Sequence, residues 1–254
     1  MFEPRLALAS LSGEADAEWA RDGAAWAGAA VLGGVCLDES TRAAAREMVA
    51  DRDRSEFLPD DPIAFVDDEL AALSGVDVRP GINVRSTTAG PVREVAAVAD
   101  KHDAFVEINA HCRQDELCAA GAGETLLREP DRLEALVKAA AESGADVSVK
   151  LRTELDGVDL VDVARRIEAA GADAIHVDAM DSEAVVAEVA DATDLFLIAN
   201  NGVRGRESVR EYLHYGADAV SVGRPSDDPA VLDRVADAVA EWVAERDASA
   251  EVPG

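Results

Sequence analysis

Lysine, aromatic residues and cysteine are all scarce in this sequence. Lysine occurs three times in 254 residues, and phenylalanine, tryptophan and tyrosine together make up only 4%. The core must therefore be packed by alanine, valine, leucine and isoleucine, for which a hydrophobic fraction of 48% suffices. The cysteines Cys36, Cys112 and Cys118 are odd in number and lack metal-ligand spacing. We therefore expect neither a disulfide framework nor a bound zinc ion.

Long apolar runs are absent as well. No run approaches the roughly 20 residues that are needed to span a bilayer. The N-terminus also lacks the long apolar region and the cleavage pattern of a signal peptide. These absences predict a cytoplasmic protein without a membrane partner.

Basic residues are few relative to acidic ones. The 52 aspartates and glutamates face only 24 lysines and arginines, which gives a formal net charge of −28. A protein with this negative charge repels nucleic acid at low salt. At 1 M salt the Debye length falls to about 3 Å, so the repulsion is screened. The acids are spread along alanine-rich helical segments, which together with the scarcity of lysine predicts a halophilic protein adapted to a high-salt cytoplasm. Under that screening, the net charge carries no information about partners.

Short apolar runs alternate along the chain with longer segments of helical periodicity. This alternation is typical of a parallel sheet covered by helices. Eight such units, in a chain close to the roughly 250 residues of an α/β barrel, predict a (β/α)8 TIM barrel; an open doubly wound sheet is the alternative. The predicted strands are residues 6–11, 31–37, 82–84, 104–108, 147–151, 174–177, 195–199 and 219–222. The predicted helices between them are residues 41–51, 91–100, 132–143, 160–170, 183–190 and 207–215.

We expect one domain over residues 1–254, with the barrel at about 5–228 and a terminal helix at about 229–246. A separate RNA-binding domain is not expected. The long connection after the second strand predicts an extra element at 62–73, and the long loop at 110–129 is expected on the functional face. A Gly-Ala-Asp triplet recurs at 144–146, 171–173 and 216–218, before three of the strands. It marks the amino ends, so the chemistry is expected at the opposite, carboxyl ends.

Polar residues cluster at those carboxyl ends. Lys150 lies inside an apolar strand, where an ammonium is costly to bury unless it meets a ligand or a neighbouring carboxylate. The dipeptides Asn201-Gly202 and Gly223-Arg224 follow the last two strands, where barrels commonly build a phosphate site. Arg224 would add a charge that can pair with phosphate through two hydrogen bonds.

Cys112 is the candidate reactive group. It lies in a loop with His111 and Arg113, whose positive character lowers a thiol pKa, although an inert buried thiol is the alternative. Cys36 is better explained as a core residue, and the sequence leaves the role of Cys118 open. His176, on an apolar strand, is equally consistent with a core histidine and with a ligand contact.

The order of these motifs resembles that of the tRNA-dihydrouridine synthases, a family of flavin-dependent barrels. The segment 109–112, Asn-Ala-His-Cys, is similar to the family's Asn-x-Gly-Cys-Pro motif. The other matching segments, in the family's order, are 8–13, 121–127, 149–152, His176, 201–202 and 223–224. Together they extend over nearly the whole predicted barrel.

The resemblance implies an FMN-dependent oxidoreductase that reduces the C5–C6 double bond of a uracil ring in tRNA. Hydride would come from reduced flavin, with NAD(P)H as electron donor, and Cys112 would supply the proton. Asn109 and Arg152 would orient the substrate ring. The residues implied to bind FMN are Ser10, Asn83, Lys150, His176, Asn201, Gly202, Gly223 and Arg224.

The sequence also departs from the family's pattern. His111 and Arg113 replace the Gly and Pro that flank the family's cysteine, and only about 30 residues follow Arg224. The helical RNA-binding domain that usually follows the barrel is therefore not expected, and no basic patch for an RNA backbone is evident. Two alternatives stay open: a flavin enzyme acting on a small dihydropyrimidine such as dihydroorotate, and a non-redox phosphate-binding barrel.

Overall fold

A computed structural model describes residues 1–51, 54–180 and 182–250. Eight parallel strands pair in sequence order and close into a barrel, β1 to β8, which confirms the predicted α/β barrel and excludes the open sheet. Each predicted strand forms; β8 has the predicted bounds, and the other seven differ from the prediction at one or both ends. The strands are β1 (Leu6–Leu8), β2 (Ala29–Cys36), β3 (Arg79–Arg85), β4 (Phe105–Ala110), β5 (Val147–Arg152), β6 (Ala174–Asp178), β7 (Phe196–Asn200) and β8 (Ala219–Val222).

Helices surround the barrel, and the predicted terminal helix forms as the last of them. They are α1 (Ala17–Gly23), α2 (Glu39–Asp51), α3 (Pro62–Ala72), α4 (Ala89–Lys101), α5 (Asp115–Ala119), α6 (Thr125–Arg128), α7 (Pro130–Ala141), α8 (Leu160–Ala169), α9 (Val185–Ala190), α10 (Arg206–His214) and α11 (Pro229–Ala250). A 3-10 turn follows β8 at Arg224–Asp227. The helices α1, α5 and α6 were not predicted, because helices of four to seven residues carry too little periodicity to be recognised.

The strands are buried on both faces because side chains fill the barrel and helices cover its outside. Every residue of β2 and β4 is buried, and small and branched aliphatic side chains make up most of the core. The largest fully buried side chain belongs to a charged residue, Arg85, at the carboxyl end of β3. None of the helices within the described ranges is both long enough and apolar enough to cross a membrane.

The Gly-Ala-Asp triplets join each helix to the amino end of the next strand. Gly171 has φ +103°, a left-handed conformation that glycine adopts without steric cost. Two residues later, the carboxylate of Asp173 accepts a hydrogen bond of 2.8 Å from the backbone N–H of Val147 on the adjacent strand β5. Asp218 makes the equivalent bond to Leu197 at 2.9 Å. The third residue of the triplet therefore ties neighbouring strands together at the face away from the chemistry.

Candidate active site

Two adjoining cavities open at the carboxyl ends of the strands. The larger has a volume of about 660 Å³ and extends over the loops after β1, β4 and β5. The smaller, of about 280 Å³, lies over the ends of β7 and β8. The two share Ser10, His111, Lys150, Asp178 and Asn201 among their lining residues. They therefore form one continuous site of the size that binds a cofactor together with a small ring.

A larger groove of about 900 Å³ lies at the opposite, amino ends of the strands, beside α3 and α4. Its basic side chains already have acidic partners: Arg79 pairs with Asp146, and Lys101 and His102 contact Asp67. No set of three or more His, Cys, Asp or Glu side chains in residues 1–51, 54–180 and 182–250 is arranged to hold a metal ion. The carboxyl-end cavities are thus the better candidate for chemistry.

A buried polar network forms the floor beneath the cavities. Glu107 on β4 accepts hydrogen bonds from the Asn83 amide at 2.7 Å and from Nδ1 of His176 at 2.6 Å. On its other side, Nε2 of His176 accepts a bond of 2.8 Å from the hydroxyl of Ser221. All four residues have no exposed surface. Because every strong hydrogen-bonding group here is used, the network is rigid and supports the residues above it.

The charge in this floor is carried by Glu107. Burial by itself would raise the pKa of Glu107, but its contacts with His176, Lys150 and Asn83 lower that pKa to about 2. Burial lowers the pKa of His176. A neutral His176 that donates through Nδ1 and accepts through Nε2 satisfies both of its neighbours. The floor therefore presents one fixed negative charge directly below the cavity.

Lys150 supplies the positive charge above this floor. It lies on β5 next to Asn109 and His176 in the strand register, is only 4% exposed, and lines both cavities. Within the described part of the chain it makes no hydrogen bond and no close ion pair. Glu107 and Asp178 balance its charge at longer range. The ammonium is thus held in place with its donors available to a ligand.

Asn109 connects the floor to the reactive loop. Its amide nitrogen donates to the side-chain oxygen of Asn83 at 2.9 Å. Its own side-chain oxygen accepts from the backbone N–H groups of His111 and Cys112, at 3.1 and 2.9 Å. One side chain therefore fixes the start of the loop that carries the thiol.

Cys112 lies in the larger cavity between two cationic groups. Burial by itself would raise the pKa of Cys112, but the Arg85 guanidinium and a hydrogen bond with His111 lower it to about 6. The Arg85 guanidinium also forms an ion pair with the buried carboxylate of Glu56, in which Nη1 of Arg85 lies 2.6 Å from Oε2 of Glu56. The His111 ring bonds Asp178 through Nε2 at 2.5 Å. The thiol is therefore set in an environment that stabilises its thiolate.

Gly123→Ala is expected to lower the free energy of unfolding by more than backbone strain alone would, because the added Cβ also clashes with the Cys112 loop. Gly123 has φ +62°, and a Cβ at this position would lie 2.1 Å from the carbonyl oxygen of Cys112. Left-handed backbone costs a non-glycine residue roughly 1–2 kcal/mol. A loss in the free energy of unfolding that exceeds this strain cost, measured by urea titration, would indicate the clash with Cys112.

The matched control for this substitution is Gly75→Ala. Gly75 has φ +79°, but an added Cβ there meets nothing within 4 Å. It therefore carries the backbone strain without the clash. Equal losses of stability in the two variants would contradict the expected contact with Cys112.

The smaller cavity has the features of an anion site. Asn201 and Gly202 follow β7, and Gly223 and Arg224 follow β8, all lining this cavity. Arg204 lines it too, although the sequence reasoning did not single it out. Two guanidinium groups and two exposed glycine turns thus converge where the last two strands end.

Arg152 is the remaining predicted site residue in the cavity wall. It follows Lys150 by two residues on β5 and pairs with Glu124 at 2.8 Å. Of the predicted residues, Asn83 and His176 lie in the buried floor and line neither cavity, whereas the others line one or both. Those others are Cys112, Ser10, Asn109, Lys150, Arg152, Asn201, Gly202, Gly223 and Arg224.

Sequence reasoning missed Glu107, Glu56 and Ser221. Glu107 carried a recognisable signal, because a carboxylate inside an otherwise apolar strand needs a partner. Glu56 lies in an irregular segment before α3 and carried none.

Known proteins resemble both the sequence and the fold. The uncharacterized protein MJ0144 of Methanocaldococcus jannaschii is 25% identical over 235 residues, which cover 88% of this chain and 89% of that protein. The tRNA-dihydrouridine synthase B of Vibrio vulnificus is 27% identical over 136 residues, 48% of this chain and 42% of that enzyme. The Vibrio cholerae enzyme of the same name is 28% identical over 135 residues, with the same coverage. The chain thus matches less than half the length of the two Vibrio relatives.

Two solved structures share the barrel. A variant of NCR from Zymomonas mobilis superposes with a TM-score of 0.63, covering 91% of this chain and 87% of that one. FabK from Thermotoga maritima superposes with a TM-score of 0.53, covering 87% and 58%. Both are 15% identical to this chain, so they show the fold alone. Residues 86–252 match the model of the family described as Dihydrouridine synthase (Dus), which is more than half of the chain. This chain therefore belongs to the dihydrouridine synthase family.

Proposed function

We propose that this protein is an FMN-dependent oxidoreductase that reduces the C5–C6 double bond of a uracil ring. Family membership supports a flavin-dependent oxidoreductase of the dihydrouridine synthase type. The observation that carries the finer proposal is the juxtaposition of Lys150, Cys112 and the anion site around one cavity. A cation, an acid and a phosphate cradle are the protein groups that such a reduction needs.

The residues of the cavity fit a flavin that bears a phosphate. Lys150 lines the larger cavity, and among the described residues none accepts a hydrogen bond from its ammonium group. An added Cβ at Gly202 or Gly223 would meet nothing within 4 Å, so the backbone at the ends of β7 and β8 has room for a close ligand. The Arg224 guanidinium beside these turns suits a phosphate group. Ser10, Asn201 and the supporting residues Asn83 and His176 complete the proposed cofactor set.

Bound FMN would supply the hydride, and the chain's own residues would do the rest. Lys150 would stabilise negative charge on the ring above it, and Asn109 would hold the reactive loop in position. Arg152, kept in the cavity wall by Glu124, would orient the substrate ring together with Asn109. Cys112 would deliver a proton to the carbon that does not receive the hydride. NAD(P)H is the proposed electron donor.

We propose tRNA as the substrate, because the relatives from Vibrio are named for activity on tRNA. The second candidate is a small pyrimidine. At low salt it is favoured by the acidic net charge of −28, since RNA binding usually needs a basic surface, whereas salt near 1 M screens this charge. Both candidate substrates would place a pyrimidine ring in the same cavity. They differ in whether the rest of a tRNA molecule extends beyond the cavity.

The test begins with the absorption spectrum of the protein purified in high salt. Flavin bands, with FMN identified in the released cofactor by chromatography, are expected. A colourless protein that takes up no FMN would overturn the proposal in favour of a non-redox phosphate-binding barrel.

The substrate is tested separately, by measuring the dihydrouridine content of tRNA from a strain that lacks the gene. A reduced content is expected. Unchanged content, together with pyrimidine-dependent oxidation of the reduced protein, would assign the small-molecule reaction instead.

A further inference from the structure

The loop that carries Cys112 contains a histidine where the family's motif has glycine. We propose that His111, held by Asp178, supplies the proton that Cys112 delivers to the substrate. The proposal rests on the proposed reduction of a pyrimidine ring. His111 acts through Cys112 and is therefore a positioning and proton-supplying residue rather than one that contacts the reacting carbon.

The geometry fixes His111 from three directions. Its Nε2 bonds Oδ2 of Asp178 at 2.5 Å, and its backbone N–H donates to Asn109 at 3.1 Å. On its third side His111 is joined along the chain to Cys112, and both residues line the larger cavity. Asp178 is itself held in place, because its second oxygen accepts a hydrogen bond of 2.8 Å from the side-chain amide of Asn201. A histidine that is oriented by a carboxylate and lies next to a thiol is arranged to pass a proton to that thiol.

The charges around the pair favour a thiolate beside a protonated imidazole. Burial would lower the pKa of His111, but the bond to Asp178 raises it above its ordinary value. Around Cys112, Arg85 lowers the thiol pKa and Glu56 opposes it. Lys150 on β5 opposes protonation of His111. The thiols of Cys36 on β2 and Cys118 on α5 also interact with Cys112. The further charged side chains that line the same cavity are those of Glu14, Arg54, Arg113, Arg152 and Arg224.

The step balances with water as the source of the proton. The N–H proton of the imidazolium moves to the sulfur of Cys112, which becomes a thiol. The S–H bond then breaks as the new C–H bond forms on the substrate carbon, and the sulfur returns to thiolate. The neutral imidazole takes a proton from solvent. The substrate thus gains one hydride from the reduced flavin and one proton, and the His111–Cys112 pair is restored.

The test measures how fast iodoacetamide alkylates Cys112 at different pH values, followed by mass spectrometry of the Cys112 peptide. In the purified wild-type protein the rate is expected to reach half its maximum near pH 6. His111→Gly, which restores the residue of the family's motif, should move this midpoint upward by about 1 pH unit or more. The matched control is His102→Gln, because His102 also pairs with a carboxylate, Asp67, at 2.5 Å but lies outside the cavity. The control should keep the wild-type midpoint.

Turnover gives the second measurement. His111→Gly should lower turnover at neutral pH, and imidazole added to the solution should restore part of it by occupying the vacated space. An unchanged alkylation midpoint in His111→Gly would overturn the proposal, as would a rate that imidazole does not alter. Because alkylation requires neither flavin nor pyrimidine, it tests the pair even if the reduction itself is refuted.

Discussion

Cys112→Ala is expected to lower turnover by about 10²–10⁴-fold while the flavin stays bound, because the variant loses its general acid but keeps the cofactor contacts. The proposed cofactor contacts come from β5, from Ser10 after β1 and from the ends of β7 and β8, with Asn83 and His176 beneath them, and none of these residues bonds to the thiol. The measurement pairs steady-state turnover with the flavin absorbance per protein. The two values together distinguish a lower rate of the chemical step from a lower occupancy of the flavin site.

Cys118→Ala is the matched control for this variant. Cys118 lies on α5, six residues along the same loop, and its thiol donates only to the backbone carbonyl of Cys112. It does not line either cavity. We expect it to keep turnover within a few-fold of wild type. Undiminished turnover in Cys112→Ala would exclude Cys112 as the acid.

The second large effect is expected on stability. Glu107→Gln should lower the free energy of unfolding by about 2–4 kcal/mol, because one of two buried hydrogen bonds to a charged acceptor is lost and the other is weakened. The glutamine must place its NH2 group against Asn83 or His176, each of which already donates to this position. Urea titration in high salt measures the loss. Glu142→Gln, which breaks the exposed pair with Arg93, should cost only about 0–1 kcal/mol.

The same substitution has a predictable pH dependence. In the folded protein the pKa of Glu107 is lowered to about 2 from an ordinary value of 4.5. A lowered pKa in the folded state stabilises the protein fully above the unfolded value and progressively less below it. The difference in the free energy of unfolding between wild type and Glu107→Gln should therefore be constant above pH 4.5 and become smaller towards pH 2. A difference that grows on acidification would contradict the assigned charge.

The fold was predictable because its pattern is repeated eight times. Each apolar run formed a strand, since a strand buried on both faces needs an unbroken apolar sequence. The end points were less predictable. The first strand ends at Leu8 rather than at 11, because after the backbone bond from Ala9 to Val222 on β8 the chain turns, and Ser10 and Leu11 line the cavity. Irregular segments, such as the one that carries Glu56, are positioned only by tertiary contacts.

The site was predictable where one residue carried its own signal. Cys112 and Lys150 stood out because a thiol in a charged loop and an ammonium in an apolar strand both need an explanation. The pairings between residues could not be predicted in this way. Glu107 and His176, for example, lie 69 residues apart in the sequence and are brought together only by the register of the barrel strands. The sequence likewise left His176 open between core and ligand. Its burial beneath the cavity makes it part of the floor, through which it supports the residues above.

The shortest strands of the barrel are β1, with three residues, and β8, with four, and they lie side by side. β1 and β8 pair at three positions, whereas β2 and β3 pair at seven, so amide exchange should be faster between β1 and β8 than between β2 and β3. Ser10 leaves β1, and Gly223 and Arg224 leave β8, at the same small cavity. A phosphate bound between them would join the first strand of the chain to the last. Ligand binding would then strengthen this short junction and raise the melting temperature of the barrel.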